Sequence, residues 1–187
     1  MSPTLYQKDH FRIEALEDSE LRALMKPLMG EVYNTYPTFS TEGLNWNSQE
    51  LDSNRSSLYT LNLGLFHKDE FIGWSNGIQT SDNRYYMKNS GVLPKFRSQG
   101  LYTELLKVVI EETKKQGFLE LYSNHHTDNN AVIIAKLKQG FFITGMEVLP
   151  KYGLTVQLSY SHSPKLKDMH SYRIGRALSP DIKDRLK

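Results

Sequence analysis

The stretch from Val92 to Lys107 constrains the fold of this chain more than any other. A β-prone run ends at Pro94, a short loop of Arg97, Ser98, Gln99 and Gly100 follows, and a strongly apolar helical pattern begins at once with Leu101. Amide N–H groups at a helix start have no partner inside the helix, and the helix dipole is positive there. A glycine in such a turn lets the backbone approach a ligand closely, because no Cβ stands in the way. The loop is therefore suited to an anion, a phosphate or pyrophosphate above all. It is not a dinucleotide fingerprint, which needs two further glycines, nor a P-loop, which needs Gly-Lys-Ser/Thr.

The rest of the chain surrounds this loop with alternating elements. Leu21, Leu24, Met25 and Leu28 form a helical stripe within residues 17–36, which Pro27 is expected to break. Residues 37–57 are polar and read as a long loop carrying Trp46. Strands are expected at 58–66, with Tyr59, Leu61, Leu63 and Leu65 on one face, at 71–80 and at 84–93. Leu101, Leu105, Val108 and Val109 mark a helix over 101–116, closed by Gly117. A strand over 118–123, a polar loop over 124–130, a helix over 131–139 closed by Gly140, and strands at 141–148 and 152–160 complete a mixed α/β (α+β) pattern on a mostly antiparallel sheet flanked by helices.

These two features together resemble the GCN5-related N-acetyltransferase (GNAT) family. Its acyl-CoA loop reads Arg/Gln-x-x-Gly-x-Gly/Ala after a strand ending in Val-x-Pro, and Val92, Pro94, Arg97 and Gly100 fall in register, with Tyr102 replacing the last small residue. Its second signature is an Asn twelve residues before the Phe of a helix-ending Gly-Phe; here these are Asn129 and Gly140-Phe141. The resemblance spans roughly residues 10–162. It implies an acetyltransferase domain over 1–162 and leaves a tail over 163–187, basic with seven Lys/Arg against three Asp. That tail is expected to be helical and to pack on its own sheet or on a second subunit of a homodimer.

The resemblance further implies an acetyl-CoA-dependent N-acetyltransferase in which a small-molecule or peptide amine attacks the thioester directly. The N–H groups and side chains of Arg97, Ser98, Gln99, Gly100, Leu101 and Tyr102, together with Asn129, would hold the cofactor. A backbone N–H at Val92 or Leu93 would polarise the thioester oxygen. Where the family often places a Tyr that protonates the departing thiolate, seven residues after the Asn, this chain has Lys136. That lysine is expected to be a solvated helix residue, although its ammonium could donate the proton. The alternative reading is a non-catalytic acyl-CoA-binding module. Glu42, Asp82, His125 and His126 are candidates for the base, His126 among them because a neutral imidazole suits proton abstraction near pH 7. Trp46, Tyr59, Trp74, Tyr85 and Tyr86 supply aromatic surface for an acceptor pocket.

Composition removes other classes. With no cysteine the chain has neither disulfides nor thiolate metal sites, and no metal site is expected at His125, His126 and Asp128. At 39% hydrophobic and 24% charged it is neither disordered nor membrane-spanning, and Met1-Ser2-Pro3-Thr4 does not read as a secretory signal, so a cytoplasmic setting is expected. A net charge of +2 gives no case for a nucleic-acid partner.

Overall fold

The computed structural model describes residues 3–33, 57–150 and 152–173. Two strands, β1 (Thr4–Lys8) and β2 (Phe11–Ala15), open the chain. They were not expected. In β2, Phe11, Ile13 and Ala15 alternate with Arg12 and Glu14, a legible strand pattern. β1 has no such alternation and forms by pairing with β2. Helix α1 (Asp18–Met25) runs into a 3-10 turn at Lys26–Leu28 and then α2 (Met29–Tyr33), so the break falls at Pro27 as its missing N–H requires.

Strands β3 (Thr60–His67), β4 (Glu70–Ser81) and β5 (Arg84–Val92) form consecutive antiparallel pairs. Helix α3 (Leu101–Lys115) then crosses to β6 (Glu120–His126), which pairs with β5 in parallel. Helix α4 (Asn130–Lys138), β7 (Phe142–Leu149), β8 (Gly153–Ser161) and α5 (Pro164–Arg173) follow. The sheet has eight strands in the order β1-β2-β3-β4-β5-β6-β8-β7, antiparallel at every junction except β5–β6.

Two strand expectations need correction. β3 is not half-buried: every residue from Leu61 to Phe66 is buried, because α1 and α3 both pack on β3 and β4 and so cover the sheet on its two faces. β6 does not stop at Ser123 but runs on to His126, held by β8 through the pair His126↔Thr155. The polar residues Asn124, His125 and His126 hid this extension.

The core sits over the middle of the sheet, where Trp74, Tyr85, Leu63, Leu65, Ile72, Leu105 and Leu121 are closed to solvent. In β5, Lys88 is an extra residue: Asn76 pairs with Asn89 and Gly77 with Met87, a bulge that bends the strand at its midpoint. Gly77 stands at this bulge, and a Cβ there would collide with the Tyr85 phenol and the Tyr86 carbonyl. Gly77→Ala is therefore expected to destabilise the protein by about 1–3 kcal/mol, read as a lower midpoint in urea unfolding. An unchanged midpoint would mean that β4 and β5 can part at the bulge without loss.

Candidate active site

Parallel pairing of β5 and β6 is confined to three residue pairs, Arg84↔Glu120, Tyr85↔Leu121 and Tyr86↔Tyr122. The Arg84–Glu120 ion pair at 3.1 Å and the Tyr86–Tyr122 rings at 5.0 Å clamp this seam. Beyond it the strands diverge, and a cavity of about 480 Å³ opens between them. Met87, Asn89 and Ser90 of β5 line one wall, Asn124, His125 and His126 of β6 another. Tyr33, Tyr102, Asn129 and Lys136 line it from the helices. The orientation of Asn89 is fixed: its Oδ1 accepts from Tyr33 Oη and Trp74 Nε1, each at 2.7 Å.

The loop before α3 is wound left-handed at two of three successive residues, Ser98 (φ 62°) and Gly100 (φ 78°). A left-handed Ser is uncommon, and mixed-handed turns of this kind are the local backbone form from which anion-binding nests are built. The first intrahelical bonds run from Thr103 and Glu104 to the Gly100 carbonyl, so the amides of Leu101 and Tyr102 precede the helical ladder. A Cβ on Gly100 would meet nothing within 4 Å, which leaves the front of the loop open. Ser98, Gln99 and Gly100 are exposed, Leu101 is buried in the core, and Tyr102 turns back onto the cavity wall.

Arg97 differs from expectation. Its Nε donates to the Val92 carbonyl and its terminal nitrogen to the Val32 carbonyl, both at 3.0 Å. The guanidinium thus braces the loop against β5 and α2, while its charge stays near the loop. The expected backbone donor also narrows to one residue. Leu93 N–H is committed to the Ile72 carbonyl at 2.9 Å, which removes Leu93. Successive amides of a strand point to opposite edges, so Val92 N–H faces the side where β6 has departed.

Lys136 is not solvated. It is 1% exposed, and its Nζ donates to Ser123 Oγ at 2.6 Å and to Met87 Sδ at 3.3 Å, with the Phe141 ring centroid at 4.7 Å. Among the described residues no carboxylate pairs with it. Desolvation without a counter-charge disfavours the ammonium, and its pKa falls to about 7. Ser123 Oγ lies 2.9 Å from His125 Nε2. Burial first and the Lys136 charge second push His125 down to about 3, so the imidazole is held neutral.

Other expected residues are distributed unevenly. Asn129 caps α4, its side chain accepting from Val132 N–H at 3.4 Å, and lines the cavity. His126 lines it beside Tyr152, with ring centroids at 6.2 Å. Asp82 lies in the β4–β5 turn at the opposite end of β5 from Val92. Tyr86 alone of the four described aromatic candidates lines the cavity; Trp74 and Tyr85 are core, and Tyr59 packs on Tyr85 and Phe118. Glu42 and Trp46 lie outside the described residues. Ser123, Asn89 and Tyr33 went unnoticed in the sequence. Only Ser123 carried a signal there, alternating with Leu121 and His125 on one strand face.

The family model described as "Acetyltransferase (GNAT) family" matches residues 19–141. With both signatures seated around the splayed strands, the chain belongs to the GNAT acetyltransferase family. Solved structures share the fold. The ribosomal-protein-S18-alanine N-acetyltransferase from Escherichia coli matches with a TM-score of 0.63 at 20% identity, over 82% of this chain and 94% of that one. The ribosomal-protein-S5-alanine acetyltransferase from Vibrio fischeri matches with 0.66 at 11%, over 87% and 98%. A GNAT family acetyltransferase from Elizabethkingia anophelis with acetyl-CoA bound matches with 0.58 at 18%, over 82% and 99%. No curated protein matches the chain by sequence.

The buried lysine has a thermodynamic signature. Between about pH 7 and the ordinary lysine value of 10.5 the folded state holds fewer protons at Lys136 than the unfolded chain does. Stability from this residue therefore rises with pH across that window, by at most about 1.4 kcal/mol per pH unit, and its destabilising effect is complete below it. Lys136→Met is expected to be more stable than wild type at pH 7, with the difference shrinking by pH 9. Urea unfolding at the two pH values checks this, and a pH-independent difference would mean the ammonium is not desolvated.

Proposed function

We propose that the chain is an acetyl-CoA-dependent N-acetyltransferase acting on a primary amine of a small molecule or peptide. The observation that carries this reading is that Lys136, Asn129 and Tyr102 line one cavity, Tyr102 standing in the first turn of the helix that the left-handed Ser98–Gly100 loop leads into. Acetyl-CoA, when bound, supplies an acetyl group activated as a thioester. The loop suits it: amides precede the α3 ladder, the helix start is positive, and the open face at Gly100 admits a pyrophosphate.

The chain's own residues then divide the work. Amides of residues 98–102 hold the pyrophosphate, and Arg97 keeps the loop in shape while adding charge. Val92 N–H donates to the oxygen on which negative charge develops. Asn129 closes the α4 start beside the thioester end. Lys136 Nζ hands a proton to the sulfur as the C–S bond breaks. Ser123 positions Nζ for this, and neutral His125 positions Ser123. An amine whose pKa lies near 7 is matched to a thiol of ordinary pKa about 8.5, so the transfer is close to balanced. Lys136 thus fills the place of the family's Tyr. His126, on the cavity wall, remains in this reading as a base for the acceptor.

Calorimetry with CoA and acetyl-CoA tests the first half: wild type is expected to bind and Gly100→Val to lose binding, since a β-branched side chain fills the open face of the loop. No binding by wild type would sink the reading. For the second half, thiol release is measured with amine acceptors across pH 6–9. Lys136→Met is expected to slow release by about 10²–10⁴-fold and to lose the decline above pH 7 that marks a protonated acid. Binding without thiol release from wild type would instead identify a non-catalytic acyl-CoA-binding module.

A further inference from the structure

Resting on that reading, we infer that Lys136 is itself an acylation site: when no acceptor is present, its Nζ takes the acetyl group of bound acetyl-CoA. Lys136 and Met87 line the same cavity, one from α4 and the other from β5. Lys136 Nζ stands 3.3 Å from Met87 Sδ and 2.6 Å from Ser123 Oγ, which fixes the amine at that wall. A group placed to protonate the departing sulfur is also close to the thioester carbon, because those two atoms are bonded to each other.

A lysine amine is a nucleophile only without its extra proton. Carboxylates hold other lysines of this chain charged: Lys95 pairs with Glu70, Lys107 with Glu104 and Lys115 with Glu112. Lys136 has a hydroxyl, a thioether and the Phe141 ring around it instead. Burial brings its pKa down to about 7, so roughly half of the chains carry a neutral amine there at neutral pH. The neutral amine keeps two hydrogens, which Ser123 Oγ and Met87 Sδ are placed to accept, and its lone pair takes the remaining tetrahedral direction. Two other lysines serve as comparisons. Lys88 lines the same cavity but is exposed on the β5 bulge, and Lys138 is exposed on α4.

The step balances without a further reactant. Nζ attacks the thioester carbonyl carbon, the C–N bond forms as the C–S bond breaks, and one Nζ proton passes to the thiolate. The products are Nζ-acetyl-Lys136 and free CoA thiol. Burial favours this product, because a neutral amide replaces an ammonium that has no counter-charge. The acylated chain has lost its proton donor, so self-acylation turns the enzyme off when acceptor is scarce.

The full chain incubated with acetyl-CoA and no acceptor tests this by thiol release and peptide mass spectrometry. A burst of about one thiol per chain is expected. Lys136 is expected to gain an acetyl group about a hundredfold faster than Lys138, and excess desulfo-CoA to suppress this. The treated protein is then expected to release thiol with an amine acceptor as slowly as Lys136→Met. Calorimetry that shows acetyl-CoA bound while Lys136 stays unmodified would overturn the inference. So would acetylation of Lys136 no faster than that of Lys138, or undiminished by desulfo-CoA. Those outcomes leave CoA recognition standing, whereas loss of CoA binding by wild type would remove the underlying reading as well.

Discussion

Everything specific to this protein depends on how briefly β5 and β6 stay together. Three residue pairs join the five-stranded meander to the β6–β8–β7 unit, and past Tyr86 and Tyr122 the two strands no longer satisfy each other's backbone groups. A parallel pair needs a long crossover, and α3 supplies it. The same crossover brings the N-terminus of α3 to the end of β5, where Val92 turns an amide toward the vacated edge. The cavity and the lone strand amide are consequences of one early divergence. The bulge at Lys88 bends β5 at its midpoint, just past the last pair with β6.

Lys136 is the second constraint, and it runs against the usual chemistry of interiors. A buried ammonium with a hydroxyl, a thioether and an aromatic ring as neighbours has no counter-charge to offset its desolvation. Structural lysines are rarely placed this way. The Ser123–His125 pair behind it gives the amine a fixed direction without giving it a negative partner, and so keeps it titratable near neutrality. A carboxylate in the place of Ser123 would hold the lysine charged at every physiological pH.

Much of the fold was legible. The α3 pattern, the Pro27 break and the hairpins of β3–β5 follow from periodicity and turn chemistry, and the two signatures located the loop and Asn129 without coordinates. Lys136 was misread for an identifiable reason. Helix α4 buries Lys136 and exposes Ile134 and Leu137, the inverse of the amphipathic rule by which sequence assigns a helix face. Arg97 looked like an anion ligand because its charge is visible in sequence, whereas the carbonyls of Val92 and Val32 that take its hydrogen bonds belong to the fold. Leu93 and Val92 cannot be told apart until the strand edge each amide faces is known. Asn124 and Glu147 are 23 residues apart and meet only through the β6–β8–β7 register. No local pattern announces such a pair.

The position of β7 places its own demand on the Glu147 carboxylate. Among the described residues β7 is the outermost strand of its side of the sheet, with Ile143, Met146 and Val148 half or more exposed. Open edges bearing apolar side chains invite strands of other molecules, and a charged residue on such an edge is the usual deterrent. Glu147 is the single charged residue in β7. One side chain thus carries the whole charge of an otherwise apolar edge, so its loss would open that edge to association with other strands.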